Sequence, residues 1–166
     1  FINREPLEKL LPYIDAMNID VKAFNNDFYR DICKGDLSPL KDTVKMSASA
    51  CHIEITSLII GGLNDAPYEM EYLAKWLSKI DTAIPLHISR YYPNYKLSVE
   101  ATPRETMLKL NDIAKDYLSF VYIGNLMGID NNTYCPSCKN LLIERGYRTR
   151  VIGIQNGRCS KCGHLI

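Results

Sequence analysis

Met17-Asn18-Ile19-Asp20-Val21-Lys22-Ala23 is the stretch whose reading decides the fold. It alternates with a period of two: Met17, Ile19, Val21 and Ala23 point one way, and Asn18, Asp20 and Lys22 the other. That is a strand pattern. A strand inside a parallel sheet covered by helices on both faces is apolar on both sides, yet one face here carries an acid and a base two residues apart. Two readings follow. The strand looks into a polar cavity, such as the open end of a barrel, where the pair serves a ligand; or it is an edge strand with one solvated face.

Working outward, helical and strand patterns alternate. Glu5-Pro6-Leu7-Glu8-Lys9-Leu10-Leu11 predicts a helix with proline near its start and Pro12 at its end. After the first strand, a short helix is expected from Asp27 to Cys33, stopped by Gly35, and another opens at Ser38-Pro39 and runs through Val44 and Met46. His52 to Ile60 is a strand followed by the turn Gly61-Gly62-Leu63-Asn64-Asp65. From Pro67 to Ile80 the stripe Tyr72, Leu73, Trp76, Leu77 and Ile80 predicts the buried side of a helix. Ile84 to Tyr91 is the third strand. Thr102-Pro103-Arg104-Glu105 reads as a capping box opening a helix that turns Met107, Leu110, Ala114 and Tyr117 inward, and Phe120 to Ile123 is a fourth strand.

Such alternation implies right-handed crossovers and a parallel sheet, an α/β fold. The second and third strands repeat the oddity of the first: His52, Glu54 and Thr56 share one face, and so do His87, Ser89 and Tyr91. A sheet has only two edges, so three half-polar strands favour the polar interior.

The 166 residues suffice for one ordinary domain and a small appendage, and a hydrophobic fraction of 46% with 23% charged residues excludes a disordered tail or a fibre. The net charge of +1 conceals an asymmetry: residues 129–166 carry six Lys or Arg against two acids, the preceding residues fourteen against seventeen. This predicts a boundary near Gly128, with a first domain over 1–128 and a second over 129–166. No apolar run approaches the length of a bilayer crossing and no leader pattern precedes the first element, so the expected compartment is the cytoplasm.

Six cysteines in such a chain point to metal rather than disulfides. Cys135/Cys138 and Cys159/Cys162 form two Cys-x2-Cys pairs twenty residues apart, the spacing that gathers four thiolates around a structural Zn2+, or around iron in a rubredoxin-like site. Leu141-Leu142-Ile143 and Thr149 to Ile154 are expected to pair between them as a small ribbon, which has too little core to fold without its metal. Cys33 and Cys51 stand alone and are expected as buried hydrophobes. Arg145, Arg148, Arg150, Arg158 and Lys161 give the ribbon a basic face, so a nucleic-acid- or protein-binding module is the competing function. With only Tyr134 and Tyr147 available for stacking, a solvated face balancing the negative thiolate centre is the preferred reading.

Asp20-Val21-Lys22, Leu58-Ile59-Ile60-Gly61-Gly62-Leu63-Asn64-Asp65, His87-Ile88-Ser89-Arg90-Tyr91-Tyr92-Pro93 and Val121-Tyr122-Ile123-Gly124-Asn125 followed by paired cysteines, in that order and spacing, resemble one family over essentially the whole chain. It is the radical S-adenosylmethionine enzymes of the pyruvate formate-lyase activating type, in the AmmeMemoRadiSam-system branch. The resemblance implies a partial (β/α) barrel holding a [4Fe-4S] cluster and S-adenosylmethionine. It assigns Asp20 to the ammonium and Lys22 to the carboxylate of that cofactor, a complementarity strengthened in a cavity of low dielectric. Where the activating enzymes place an arginine this chain has Thr56, with Glu54 on the same face; where they place a histidine Tyr92 falls nearest, leaving His87 and Arg90 as candidates.

The family's Cys-x3-Cys-x2-Cys cluster motif does not occur in the chain. The resemblance places it upstream, so the chain is expected to be the C-terminal half of the barrel followed by a zinc-ribbon-like module. Alone it would be inactive and prone to self-association through an open sheet edge. As part of a whole oxidoreductase it would serve reductive cleavage of S-adenosylmethionine to a 5′-deoxyadenosyl radical that abstracts hydrogen from a protein or small substrate. The partners implied are the enzyme's own N-terminal half, a glycyl-radical or other protein substrate, and Memo-like and AMMECR-like proteins; neither nucleic acid nor membrane is expected.

Overall fold

A computed structural model describes residues 2–166. The strand and helix periods of the sequence appear in the expected order. Helix α1 (Arg4–Leu10) runs into a 3-10 turn (Leu11–Tyr13), then come β1 (Ala16–Asp20), α2 (Asn26–Phe28) with a π-helical turn (Tyr29–Cys33), and α3 (Leu37–Ala48). Strand β2 (His52–Ile59), α4 (Pro67–Ser78), β3 (Leu86–Arg90), α5 (Arg104–Lys115) and β4 (Val121–Gly124) follow. The four strands form one parallel sheet in the order β1-β2-β3-β4, each paired with its sequence neighbour through a helical crossover.

Only one face of this sheet is buried. Ile19, Ile53, Ile55, Ile59, Leu86, Ile88, Val121 and Ile123 are buried on it, as are Leu7, Val44, Leu73, Leu77, Met107 and Leu110 of the helices. The alternate residues of the strands are half-buried or exposed. Period-two alternation thus has its physical cause in a sheet sheltered on one side.

Local chemistry sets the helix ends, with corrections to the sequence reading. Asp36 caps α3, its carboxylate accepting from Ser38 N at 2.8 Å. The expected stop at Gly35 is shared with Lys34, which takes the left-handed conformation at φ 56° while Gly35 N returns to Tyr29 O at 2.9 Å. Thr102 does not cap α5: Pro103 occupies that position, and the Thr102 hydroxyl donates instead to the Ile59 carbonyl at 2.6 Å, tying α5 to the end of β2. The buried stripe of α4 is rotated from expectation to Glu69, Met70, Leu73, Ala74 and Leu77, leaving Tyr72 57% exposed. Cys33 is exposed and Cys51 half-buried, so neither is the buried hydrophobe expected.

By its contacts the chain divides into two units, the first ending at Leu126 and the second spanning Met127–Ile166. The second unit has a three-stranded antiparallel sheet of β5 (Thr133–Tyr134), β6 (Leu141–Arg145) and β7 (Thr149–Val151), and a hairpin of β8 (Ile154–Gln155) and β9 (Arg158–Cys159). The pairing of β6 with β7 is the one read from the sequence. Asn156 and Gly157 turn the hairpin with φ 50° and 71°, the two positive values a type I′ turn requires. Gly153 is needed for another reason: a Cβ there would sit on the Leu141 carbonyl oxygen. Among the described residues no helix is long and apolar enough to cross a membrane.

Candidate functional site

The less buried face of the sheet brings most of the sequence-predicted polar residues into one patch. Register places Asn18 beside Glu54, Asp20 beside Thr56, Thr56 beside His87 and His87 beside Tyr122. The groups are mutually paired. Thr56 Oγ1 donates to Asn18 Oδ1 at 2.9 Å. Glu54 Oε2 lies 2.9 Å from His87 Nε2, and its other oxygen 3.7 Å from His52 Nε2. The His87 ring stacks on Tyr122 with centroids 5.3 Å apart. The carboxylate therefore holds one ring nitrogen and the phenol ring holds the plane of the imidazole, which fixes its orientation on the face.

At the carboxyl end of β1, Lys22 Nζ pairs with Asp20 Oδ2 at 2.9 Å; the two side chains are 39% and 54% exposed. A positive and a negative group, adjacent and reachable from solvent, match the two charges of a zwitterionic ligand. Ligands of parallel α/β sheets enter at this end of the strands.

Arg90, the remaining candidate, is not brought into the patch. It lies on the helix-covered alternation of β3, where its Nε donates to Thr102 O at 2.6 Å and its Nη1 to the Tyr92 hydroxyl at 2.9 Å. Tyr92 donates on to Asn125 O at 3.2 Å, and Asn125 Nδ2 donates back to Arg90 O at the same distance. These bonds tie together the ends of β3 and β4 and the start of α5.

Residues that sequence reasoning passed over hold the end of β1. The last sheet bond of that strand is Val21 N to Thr56 O at 2.9 Å. Beyond it Lys22 N donates to the Tyr29 hydroxyl at 2.9 Å, and the Lys22 carbonyl accepts from Asn64 Nδ2 at 2.5 Å. Phe24 N donates to the buried Glu69 carboxylate at 2.8 Å. Burial raises the Tyr29 phenol to about 12, the bond from the Lys22 amide acting against it. The Gly61-Gly62-Leu63-Asn64-Asp65 stretch signals a turn; that its asparagine is aimed inward has no signature in sequence.

The second unit gathers Cys135, Cys138, Cys159 and Cys162 so that their sulfur atoms all lie within 4.8 Å of one another. Both pairs fold in the same way. Cys135 N donates to Asn140 O and Lys139 N to Cys135 O; Cys159 N donates to His164 O and Gly163 N to Cys159 O, all at 2.8–2.9 Å. Each turn closes on a left-handed residue just past its second cysteine, Lys139 at φ 58° and Gly163 at φ 75°. The Cys135–Cys162 and Cys138–Cys159 sulfur separations are 3.6 and 3.7 Å. A disulfide needs about 2 Å; the edge of a tetrahedron with metal–sulfur bonds of about 2.3 Å is about 3.8 Å. The four thiols thus fit a tetrahedral metal ion. Burial pushes the Cys159 thiol up, but the Cys162 and Lys161 amides and the neighbouring thiols outweigh it and bring it to about 6. The Asn140 amide draws Cys138 down, yet burial and the three neighbouring sulfurs carry it to about 12. One thiol drawn down beside another pushed up is the pattern expected of close sulfur atoms that share charge before a cation compensates it.

No family model matches the chain. An uncharacterized protein of Methanocaldococcus jannaschii is 40% identical over 174 aligned positions, which take in all of this chain and 51% of that protein, so the chain spans about half the length of the curated relative it matches. Among solved structures, a domain of pyruvate-formate lyase-activating enzyme from Bacteroides vulgatus superposes with a TM-score of 0.66 at 17% identity, covering 74% of this chain and 75% of that one. Over that share the chain has the fold of this domain, reached with little sequence in common.

Proposed function

We propose that this chain is the C-terminal part of a radical S-adenosylmethionine enzyme of the pyruvate formate-lyase activating type: part of a (β/α) barrel followed by a four-cysteine zinc ribbon. The observation that carries the reading is the polar face of a parallel sheet with the Asp20–Lys22 pair at its carboxyl end. Likeness in fold to the activating-enzyme domain supports it. In this reading Asp20 accepts from the cofactor's ammonium, Lys22 pairs with its carboxylate, and Glu54, Thr56 and His87 line the adjoining face. Arg90 serves the site from the other side by fixing Tyr92. S-adenosylmethionine with a reduced [4Fe-4S] cluster supplies hydrogen-atom abstraction, the cluster being held by the rest of the enzyme, which also covers the polar face. The proposed substrate is a glycyl-radical or other protein, with Memo-like and AMMECR-like proteins as associated partners.

The metal of the ribbon is structural, because four protein ligands leave no open position. Nucleic-acid binding by the ribbon is not favoured: the Glu144 carboxylate pairs with Arg150 and offsets one of the face's five basic charges. The test is anaerobic reconstitution of the full-length protein with iron and sulfide, followed by assay of 5′-deoxyadenosine formed from S-adenosylmethionine under a strong reductant. Reductant-dependent product that falls in Asp20→Asn and Lys22→Ala variants supports the proposal. A reconstituted protein that forms none overturns it.

A further inference from the structure

Just past β1, at the backbone of Lys22, side chains take over from the sheet. Past the Val21–Thr56 bond, Lys22 has no neighbouring strand to pair with, and both its polar backbone groups would be orphaned. Tyr29, 6% exposed, accepts from its N–H, and Asn64, 5% exposed, donates to its carbonyl. These side chains come from different elements. Tyr29 opens the π-helical turn after α2, an insertion that is rare and recurs at functional sites. Asn64 follows β2 and is anchored there, donating also to Leu58 O at 2.8 Å and accepting from Ile60 N at 2.7 Å. Two residues on, Glu69 holds Phe24 N, and the Phe24 ring packs on Trp76 at 5.4 Å. Satisfying one orphaned group would need a single partner. Three buried side chains converge here on a three-residue segment whose one outward charged residue is Lys22.

We infer that Tyr29 and Asn64 are positioning residues for Lys22, clamping its backbone so that the ammonium stands at a fixed place beside Asp20. The inference rests on the proposed role of Lys22 as the partner of the S-adenosylmethionine carboxylate. A lysine stem has several rotatable bonds, and a fixed Cα removes the backbone share of the ordering cost that binding must otherwise meet.

The test compares Tyr29→Phe, Asn64→Ala, Lys22→Ala and a stability control, Thr102→Val, which loses an equally buried hydroxyl bond away from Lys22. Two readouts apply. Hydrogen exchange in the 166-residue chain reports the Lys22 amide; equilibrium binding and steady-state kinetics with S-adenosylmethionine in the reconstituted full-length protein report the site. In Tyr29→Phe the Lys22 amide is expected to exchange at least about tenfold faster while the β2 and β3 amides keep their protection. The dissociation constant and KM for S-adenosylmethionine rise about tenfold with kcat little changed, as for loss of one hydrogen bond's worth of preorganisation. Thr102→Val leaves both unchanged. If Lys22→Ala leaves affinity intact, the reading of Lys22 fails and the clamp with it. If Lys22→Ala weakens binding but Tyr29→Phe does not, or does so no more than Thr102→Val, the clamp alone is overturned. Tyr29→Phe keeps the ring in the core, so the comparison stands even if Asn64→Ala does not fold.

Discussion

Removing the metal from the four-cysteine unit should unfold that unit while the parallel sheet stands. The buried cluster within Met127–Ile166 consists of Cys135, Leu142 and Cys159, with Cys138, Ile143 and Ile154 packed around it. Three of those six residues belong to the four-cysteine group itself. Complete burial of Leu142 contributes about 1.5–3 kcal/mol, whereas a structural zinc contributes about 10–16 kcal/mol to folding of such a module. The metal thus exceeds the largest single apolar contribution roughly fivefold, and the strands, two to five residues long, have little else to hold them. The perturbation is chelation, or Cys159→Ser, which removes a ligand that is only 2% exposed. Trypsin then reads out the unit, because Arg145, Arg148 and Arg150 flank the turn between β6 and β7. After chelation, cleavage at these arginines should accelerate by orders of magnitude while the fluorescence of Trp76, the chain's one tryptophan, reports an intact first unit. Mild acid acts in the same direction, since protons compete with the ion for thiolates. A chelated chain as resistant to trypsin at these sites as the metal-loaded one would refute the reasoning.

Alkaline stability should depend on Tyr29. Its phenol is raised from the ordinary 10 to about 12 by burial, so between those values the unfolded chain releases a proton that the folded chain keeps. Stability is fully present below pH about 10 and falls as pH rises towards about 12; urea titrations at about pH 9 and about pH 11 should show a loss in the wild type that shrinks in Tyr29→Phe. Gly153→Ala should weaken metal affinity ten- to a hundredfold, as overpacking by about 1–3 kcal/mol would, because the added Cβ meets the Leu141 carbonyl; competition with a chromogenic chelator measures it.

The order of elements was readable because burial on one side of the sheet writes period two into every strand, and packing against it writes a 3.6 period into every helix. Where a polar residue turns inward, that code fails. Glu69 is 4% exposed because its carboxylate receives the Phe24 amide, and with it the buried stripe of α4 rotates away from Tyr72. Thr102 looked like a cap because its spacing to Glu105 is that of a capping box, but its hydroxyl donates instead to the end of β2. Asn64 looked like any turn asparagine. The cysteine pairs were legible for the opposite reason: two short turns at that separation leave few arrangements other than convergence. Even there, the left-handed Lys139 that closes the first turn had no signal, since its counterpart in the second is a glycine.

The polar face sets a condition on what binds it. Its groups already satisfy one another: Asp20 with Lys22, Glu54 with His87, Thr56 with Asn18. A ligand must replace these pairs with contacts at least as good. A lone carboxylate would draw Lys22 away and leave Asp20 facing like charge, and a lone amine would do the converse; a zwitterion supplies both counter-charges at once. The Asp20–Lys22 pair should therefore select for the intact amino acid end of S-adenosylmethionine. Decarboxylated S-adenosylmethionine, which keeps the ammonium and the sulfonium, should bind the reconstituted full-length protein at least about tenfold more weakly, the cost of one charge-assisted contact. The same comparison in Lys22→Ala should shrink that ratio towards one, because the residue that reads the carboxylate is gone. Equal affinity of the two compounds for the wild type would mean that the pair does not hold the cofactor's amino acid end, and that the sheet's open face is lined for some other ligand.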